Sequence, residues 1–115
     1  MLTTKEKGIL LNIVSHCERI LLKIDGLTKE DFLKNDDAKE IVCFNILQIG
    51  ELAKSLSDVF LLNYNDIPWP SVKGIRDRIV HGYGTIKFDI IWKTVIEDVR
   101  PLKDYCTKII EDDEW

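Results

Sequence analysis

At 115 residues, with 45% apolar and 31% charged side chains and a formal charge of −4, the chain has the size and mixture of one water-soluble domain spanning 1–115. No run approaches the roughly 18 apolar residues of a membrane span, and the net acidity argues against a protein that coats nucleic acid. Residues 1–8 lack the apolar core and small-residue cleavage site of a signal peptide, so the cytoplasm is the expected compartment.

The first predicted helix covers 5–24. Leu10, Ile13, Val14, Cys17, Ile20, Leu21 and Ile24 form its apolar stripe, and Gly26 stands where a glycine ends a helix. Thr28 with Asp31 three residues on reads as an N-terminal box for a short turn over 30–33. Asn35, Asp36 and Asp37 then open a long second helix over about 37–61, since their side chains accept from free backbone N–H groups and their charge suits the positive helix end. The apolar arc of that helix is too broad for one contact. It either runs through the middle of a bundle or also faces a second subunit. Asn45, Gln48 and Glu51 recur at spacings of three and form a polar seam, which is either a solvated face or the lining of a cleft. Mid-helix Gly50 is expected to admit a neighbouring helix at close range.

Residues 63–70 break the helical pattern with turn chemistry and a stiff Ile67-Pro68-Trp69-Pro70 entry, in which Trp69 is a hydrophobic latch. A third helix is expected from Pro70 or Ser71 to the glycines at 82 and 84, carrying its apolar comb on Ile75, Ile79 and Val80. Asp89 is expected to cap the next helix, which Pro101 kinks or restarts. Residues 111–115 read as a frayed acidic tail. With no alternating run of strand length and no repeat, the fold class is all-α, an antiparallel bundle of four main helices.

Cys17, Cys43 and Cys106 are odd in number, far apart and each on an apolar face, which favours buried, reduced thiols over disulfides or a zinc site. His16 has no second ligand at i+3 or i+4 and reads as a helix-boundary residue; no metal and no cofactor are expected.

The total charge hides a local contrast. Residues 1–69 carry 8 basic and 11 acidic side chains, residues 70–93 carry 5 and 2, and residues 94–115 carry 3 and 7. The basic block, Lys73, Arg76, Arg78, Lys87 and Lys93, suits a compact site that grips a phosphate. Within it, residues 74–84 crowd Arg76, Asp77, Arg78, His81 and Tyr83 together. On a continuous helix Asp77 and His81 share a face at i, i+4, while Arg76 lies about 140° round from His81. An Arg-x-x-x-x-His pair could stabilise a pentavalent phosphate and move a proton, the two tasks of metal-independent RNA cleavage through the ribose 2′-OH. The same spacing also describes a salt-bridged helix end.

Three motifs in order, Gln48-Ile49-Gly50-Glu51-Leu52-Ala53, Ile67-Pro68-Trp69 with residues 73–83, and Asp89-Ile90-Ile91-Trp92, together resemble the HepT family of HEPN-domain toxins over nearly the whole chain. The resemblance implies a four- or five-helix up-and-down bundle that forms a homodimer, bringing two Arg-x-x-x-x-His motifs into one cleft. It further implies a ribonuclease toxin of a type VII-like toxin–antitoxin module, paired with an MntA-type nucleotidyltransferase antitoxin in what could be a larger assembly. The family's catalytic Arg and His fall on Arg76 and His81, with Asp77, Arg78 and Glu51 in support. The tyrosine that the antitoxin modifies with AMP falls on Tyr83. Asp77 departs from the asparagine common in the family. Its charge either weakens phosphate binding or pairs with Arg78 and leaves Arg76 free. Two other readings are a non-catalytic docking partner for a nucleotidyltransferase and a purely structural dimerisation module.

Overall fold

The computed structural model describes residues 1–81 and 84–113, with His81 given by its backbone alone. It is all-α apart from one two-residue hairpin. Helix α1 (Thr4–Ile24) begins at a full capping box, in which the Thr3 hydroxyl accepts from Glu6 N at 3.0 Å and the Glu6 carboxylate accepts from Thr3 N at 2.9 Å. Gly26 follows the Asp25 cap at φ +78°, a backbone region that suits glycine. Helix α2 (Lys29–Lys34) repeats the box with Thr28 and Asp31, whose carboxyl is held below the ordinary range by the Thr28 backbone and side-chain hydrogen bonds. Asn35 caps α3 (Asp36–Lys54) by accepting from Ala38 N.

The apolar stripes meet as expected. Helix α1 packs along α3 on one side and α8 (Arg100–Asp113) on the other, burying Leu10, Ile13, Cys17 and Ile20 against Val42, Ile46, Cys106 and Ile109. Leu2 N donates to Asp113 Oδ1 at 2.8 Å, so α8 runs antiparallel to α1. Of the acidic tail expected to fray, 111–113 continue α8, and Glu114 and Trp115 lie outside the described residues. All three cysteines are buried free thiols, and burial pushes Cys17 and Cys106 up to about 12. Among the described residues, no helix is long and apolar enough to cross a membrane.

The structure corrects the sequence reading in three places. The helix expected over 37–61 breaks after Lys54, and α4 (Asp58–Asn63) restarts on a Ser57 cap that accepts from Phe60 N. Ser57 supplies the N-cap signal, but the apolar comb of Leu52, Ala53, Leu56 and Phe60 runs across the break and conceals it. The third helix is two short ones, α5 (Trp69–Lys73) and α6 (Ile75–Ile79), after which the chain turns extended into β1 (Val80–His81), paired antiparallel with β2 (Thr85–Ile86). Finally, α7 (Phe88–Thr94) starts at Lys87 with no side-chain cap, so Asp89 contributes charge to its first turn and does not cap it. A π turn over Val95–Val99 joins α7 to α8. It falls where a proline disturbs a helix, because Pro101 offers no N–H to Glu97 and its ring crowds that carbonyl.

Caps divide the molecule. Helices α1 to α4 each start on a side-chain cap, whereas α5, α6 and α7 have none. The uncapped segment is held by packing. Trp69 is 2% exposed, stands edge-on to Phe60 with ring centroids 6.0 Å apart, and donates its indole N–H to the Tyr64 carbonyl. Gly50 lets α5 and α6 lie on α3: a Cβ there would stand 2.7 Å from Ile75 Cγ2 and 3.3 Å from the Val72 carbonyl oxygen. The stiff, buried Ile75 cannot yield freely. Gly50→Ala therefore costs about 1–3 kcal/mol in overpacking, against about 1 kcal/mol gained in helix propensity. A lower urea midpoint is the expected result, because Ile75 and the Val72 backbone must move to admit the methyl group.

Candidate active site

Local sequence explains how α6 presents its polar residues. Ile75 and Ile79, one turn apart, are buried, which turns Arg76, Asp77 and Arg78 outward, and all three are exposed. The helix is only five residues long because Val80 leaves it at φ −100° and ψ 117°. Beyond this point Lys87 N donates to the Ile79 carbonyl at 2.8 Å, while Val80 pairs with Ile86 and His81 with Thr85. Gly84, at φ +75°, supplies the left-handed residue before β2.

The expected continuous helix from Arg76 to His81 is thus absent. Asp77 and His81 are not an i, i+4 helical pair, and the 140° separation of Arg76 from His81 does not apply. Arg76 stands on a helix and His81 on a strand, with the bend at Val80 between them. Gly82 and Tyr83 lie outside the described residues. Among the described residues, no ion pair or side-chain hydrogen bond engages Arg76, Asp77 or Arg78, so Asp77 does not neutralise Arg78.

The polar seam of α3 divides into three different roles. Asn45 is 4% exposed, and it is neither solvated nor part of a cleft. Its amide donates to the Ile41 carbonyl at 2.7 Å, which leaves Oδ1 to accept from His16 Nδ1 at 2.7 Å. That geometry places the His16 proton on Nδ1. Gln48 is half-buried, and Glu51 is exposed and paired with Lys54 at 3.1 Å. On the same helix Ile41 and Phe44 remain 40% and 57% exposed, so part of the broad apolar arc is left uncovered within one chain.

Next to α6 lies a cavity of about 330 Å³ between α3, α5 and the π turn. Ile46, Ile49, Val72, Ile75, Val99 and Leu102 give it apolar walls, and Arg78, Ser71, Thr94 and Asp98 supply polar groups. Sequence reasoning placed Arg78 near the chemistry but missed Asp98, which is twenty residues further on and reaches the cleft only through the fold. The proline at 101 was the one available signal of irregular backbone there.

The family model described as Ribonuclease HepT-like matches residues 13–109 of the chain. A protein of Caldanaerobacter subterraneus subsp. tengcongensis, provisionally named as an RNase, is 27% identical over 100 residues, covering 87% of this chain and 89% of its own. Another provisionally named RNase, from Methanocaldococcus jannaschii, is 28% identical over 112 residues, covering 94% and 93%. A Thermococcus cleftensis protein with the name Probable ribonuclease HepT is 32% identical over 80 residues, covering 70% and 73%. No solved structure matches the chain.

Proposed function

The chain belongs to the HepT-like ribonuclease family, and from that membership we propose that it cuts RNA without a metal, using Arg76 and His81 at a cleft shared by two copies. The observation that carries the reading is the Arg76 guanidinium on the outer face of α6, without an ion-pair partner among the described residues and four residues before the start of the strand that bears His81. Arg76 holds the scissile phosphate by a bidentate contact and offsets the charge that develops on its oxygens. His81 takes the 2′-OH proton or returns one to the departing 5′-oxygen, and the second copy's His81 performs the complementary step. Attack of the 2′-oxygen on phosphorus forms the 2′,3′-cyclic phosphate as the P–O5′ bond breaks. The uncovered Ile41 and Phe44 face supports pairing with a second copy. Arg78 adds positive potential to the cleft, and Glu51 marks the α3 face beside the Gly50 contact.

Tyr83, two residues after His81, is the acceptor of AMP from an MntA-like nucleotidyltransferase antitoxin. The adduct puts a phosphate where the arginines receive RNA, which neutralises a cytoplasmic toxin. A second reading, a non-catalytic docking partner of that nucleotidyltransferase, is favoured by Asp77, whose carboxylate follows Arg76 directly and has no ion-pair partner among the described residues.

Incubation of the full chain with RNA in EDTA separates the two. The nuclease reading expects fragments ending in 2′,3′-cyclic phosphate, and their loss after treatment with the nucleotidyltransferase and ATP. Mass spectrometry then finds AMP on wild type and none on Tyr83→Phe. Intact RNA throughout, with AMP still added, supports docking alone; an adduct that persists in Tyr83→Phe removes Tyr83 from the scheme.

A further inference from the structure

The apolar cleft between α3, α5 and the π turn carries a few polar groups on its lining, Arg78, Ser71, Thr94 and Asp98. Arg78 and Asp98 both face it, yet no ion pair joins them or engages either one among the described residues. Thr94 donates its hydroxyl to the Ile90 carbonyl at 2.9 Å, so it offers the cleft an acceptor only. A volume of about 330 Å³ lies at the small end of ligand clefts, enough for one flat ring system and not for a helix or a folded partner.

Charge narrows the occupant. One cation and one anion lining the same cleft disfavour a phosphate or a carboxylate, because Asp98 repels what Arg78 attracts. A neutral planar group with donors on one edge and acceptors on another suits both, and the aliphatic walls suit its faces. In RNA that group is an unpaired base. Guanine alone presents two adjacent donors, N1–H and the N2 amino group, next to two acceptors, O6 and N7. A carboxylate is acceptor-only and matches the first edge; a guanidinium is donor-only and matches the second. Adenine, cytosine and uracil each place an acceptor where one of the carboxylate oxygens would lie.

We propose that this cleft receives a single-stranded guanine of the RNA substrate, with Asp98 accepting from N1–H and N2–H and Arg78 donating to O6 and N7. The inference rests on the ribonuclease reading and assigns that site its base preference. Arg76 and Arg78 then divide the labour of α6, one toward the phosphate and the other toward the base. The π turn is the element that carries Asp98 to the cleft.

The test reads binding, so it is independent of cleavage. The full chain is titrated separately with the four ribonucleoside 5′-monophosphates and followed by ¹⁵N and methyl NMR. The expected result is guanosine monophosphate moving the signals of Val72, Ile75, Thr94 and Val99, at least about tenfold tighter than the other three. Asp98→Asn, an exposed and nearly isosteric change, should remove that margin, since an amide offers one acceptor where guanine needs two. Equal affinity for all four nucleotides, shifts confined to other surfaces, or an unchanged preference in Asp98→Asn each overturn the proposal. Any of these outcomes alongside metal-free RNA cleavage would leave the nuclease reading standing and remove the guanine cleft alone.

Discussion

His81→Ala is expected to lower the rate of RNA cleavage by about 10²–10⁴-fold, the usual contribution of a positioned general acid or base. Arg76→Ala is expected to lower it by about 10²–10³-fold through loss of charge stabilisation in the transition state. Neither change should alter the unfolding free energy by more than about 0.5 kcal/mol, because Arg76 is exposed and His81 stands in a two-residue strand at the hairpin. The more discriminating measurement mixes the two variants. Once subunits exchange, a mixed dimer has Arg76 on one chain and His81 on the other, so a shared cleft recovers part of the activity that each variant lacks alone. No recovery in mixed dimers would mean that one Arg76 and one His81 on opposite chains do not suffice, either because the pair acts within one chain or because both His81 side chains are needed. Cleavage by His81→Ala at the wild-type rate would exclude His81 from the chemistry altogether.

Trp69→Ala is expected to cost about 3–5 kcal/mol, a large share of the roughly 5–15 kcal/mol that stabilises an ordinary domain. Trp69 is the largest fully buried side chain among the described residues, it packs on Phe60, and its N–H is the partner of the Tyr64 carbonyl. Trp69→Phe keeps most of the ring contact and strands that carbonyl, which costs about 1–3 kcal/mol. Chemical denaturation should place the variants in that order at unchanged slope. If both behave as wild type, α5 is held by something other than its tryptophan.

Much of this architecture is legible in the sequence because periodicity and capping agree. The Thr28 and Asn35 caps, the stripes of α1 and α8 and the close approach at Gly50 follow from residue type and spacing. The end of α6 does not follow in that way. Ile75, Ile79 and Val80 fit a helical comb, but Ile79 and Val80 are also β-branched neighbours that favour extended chain, and the glycines at 82 and 84 suit a hairpin as well as a helix stop. Local pattern leaves both options open, and the pairing of Val80 with Ile86 decides between them. Asn45 is a similar case. Its spacing from Gln48 and Glu51 suggests one polar face, yet a single partner, His16 from another helix, makes burial affordable there.

The boundary between capped and uncapped helices also sets how the molecule loosens. Helix starts without a side-chain cap forgo about 1 kcal/mol each, and α5, α6 and α7 are consecutive in the chain, so this deficit accumulates in one segment. Amide protons between Trp69 and Val99 accordingly have a route to exchange by partial opening, at less free energy than the global unfolding that α1 and α3 require. The segment with Arg76 and His81 is then expected to open ahead of the base formed by α1, α3 and α8, which hydrogen exchange would show as lower protection of its amides.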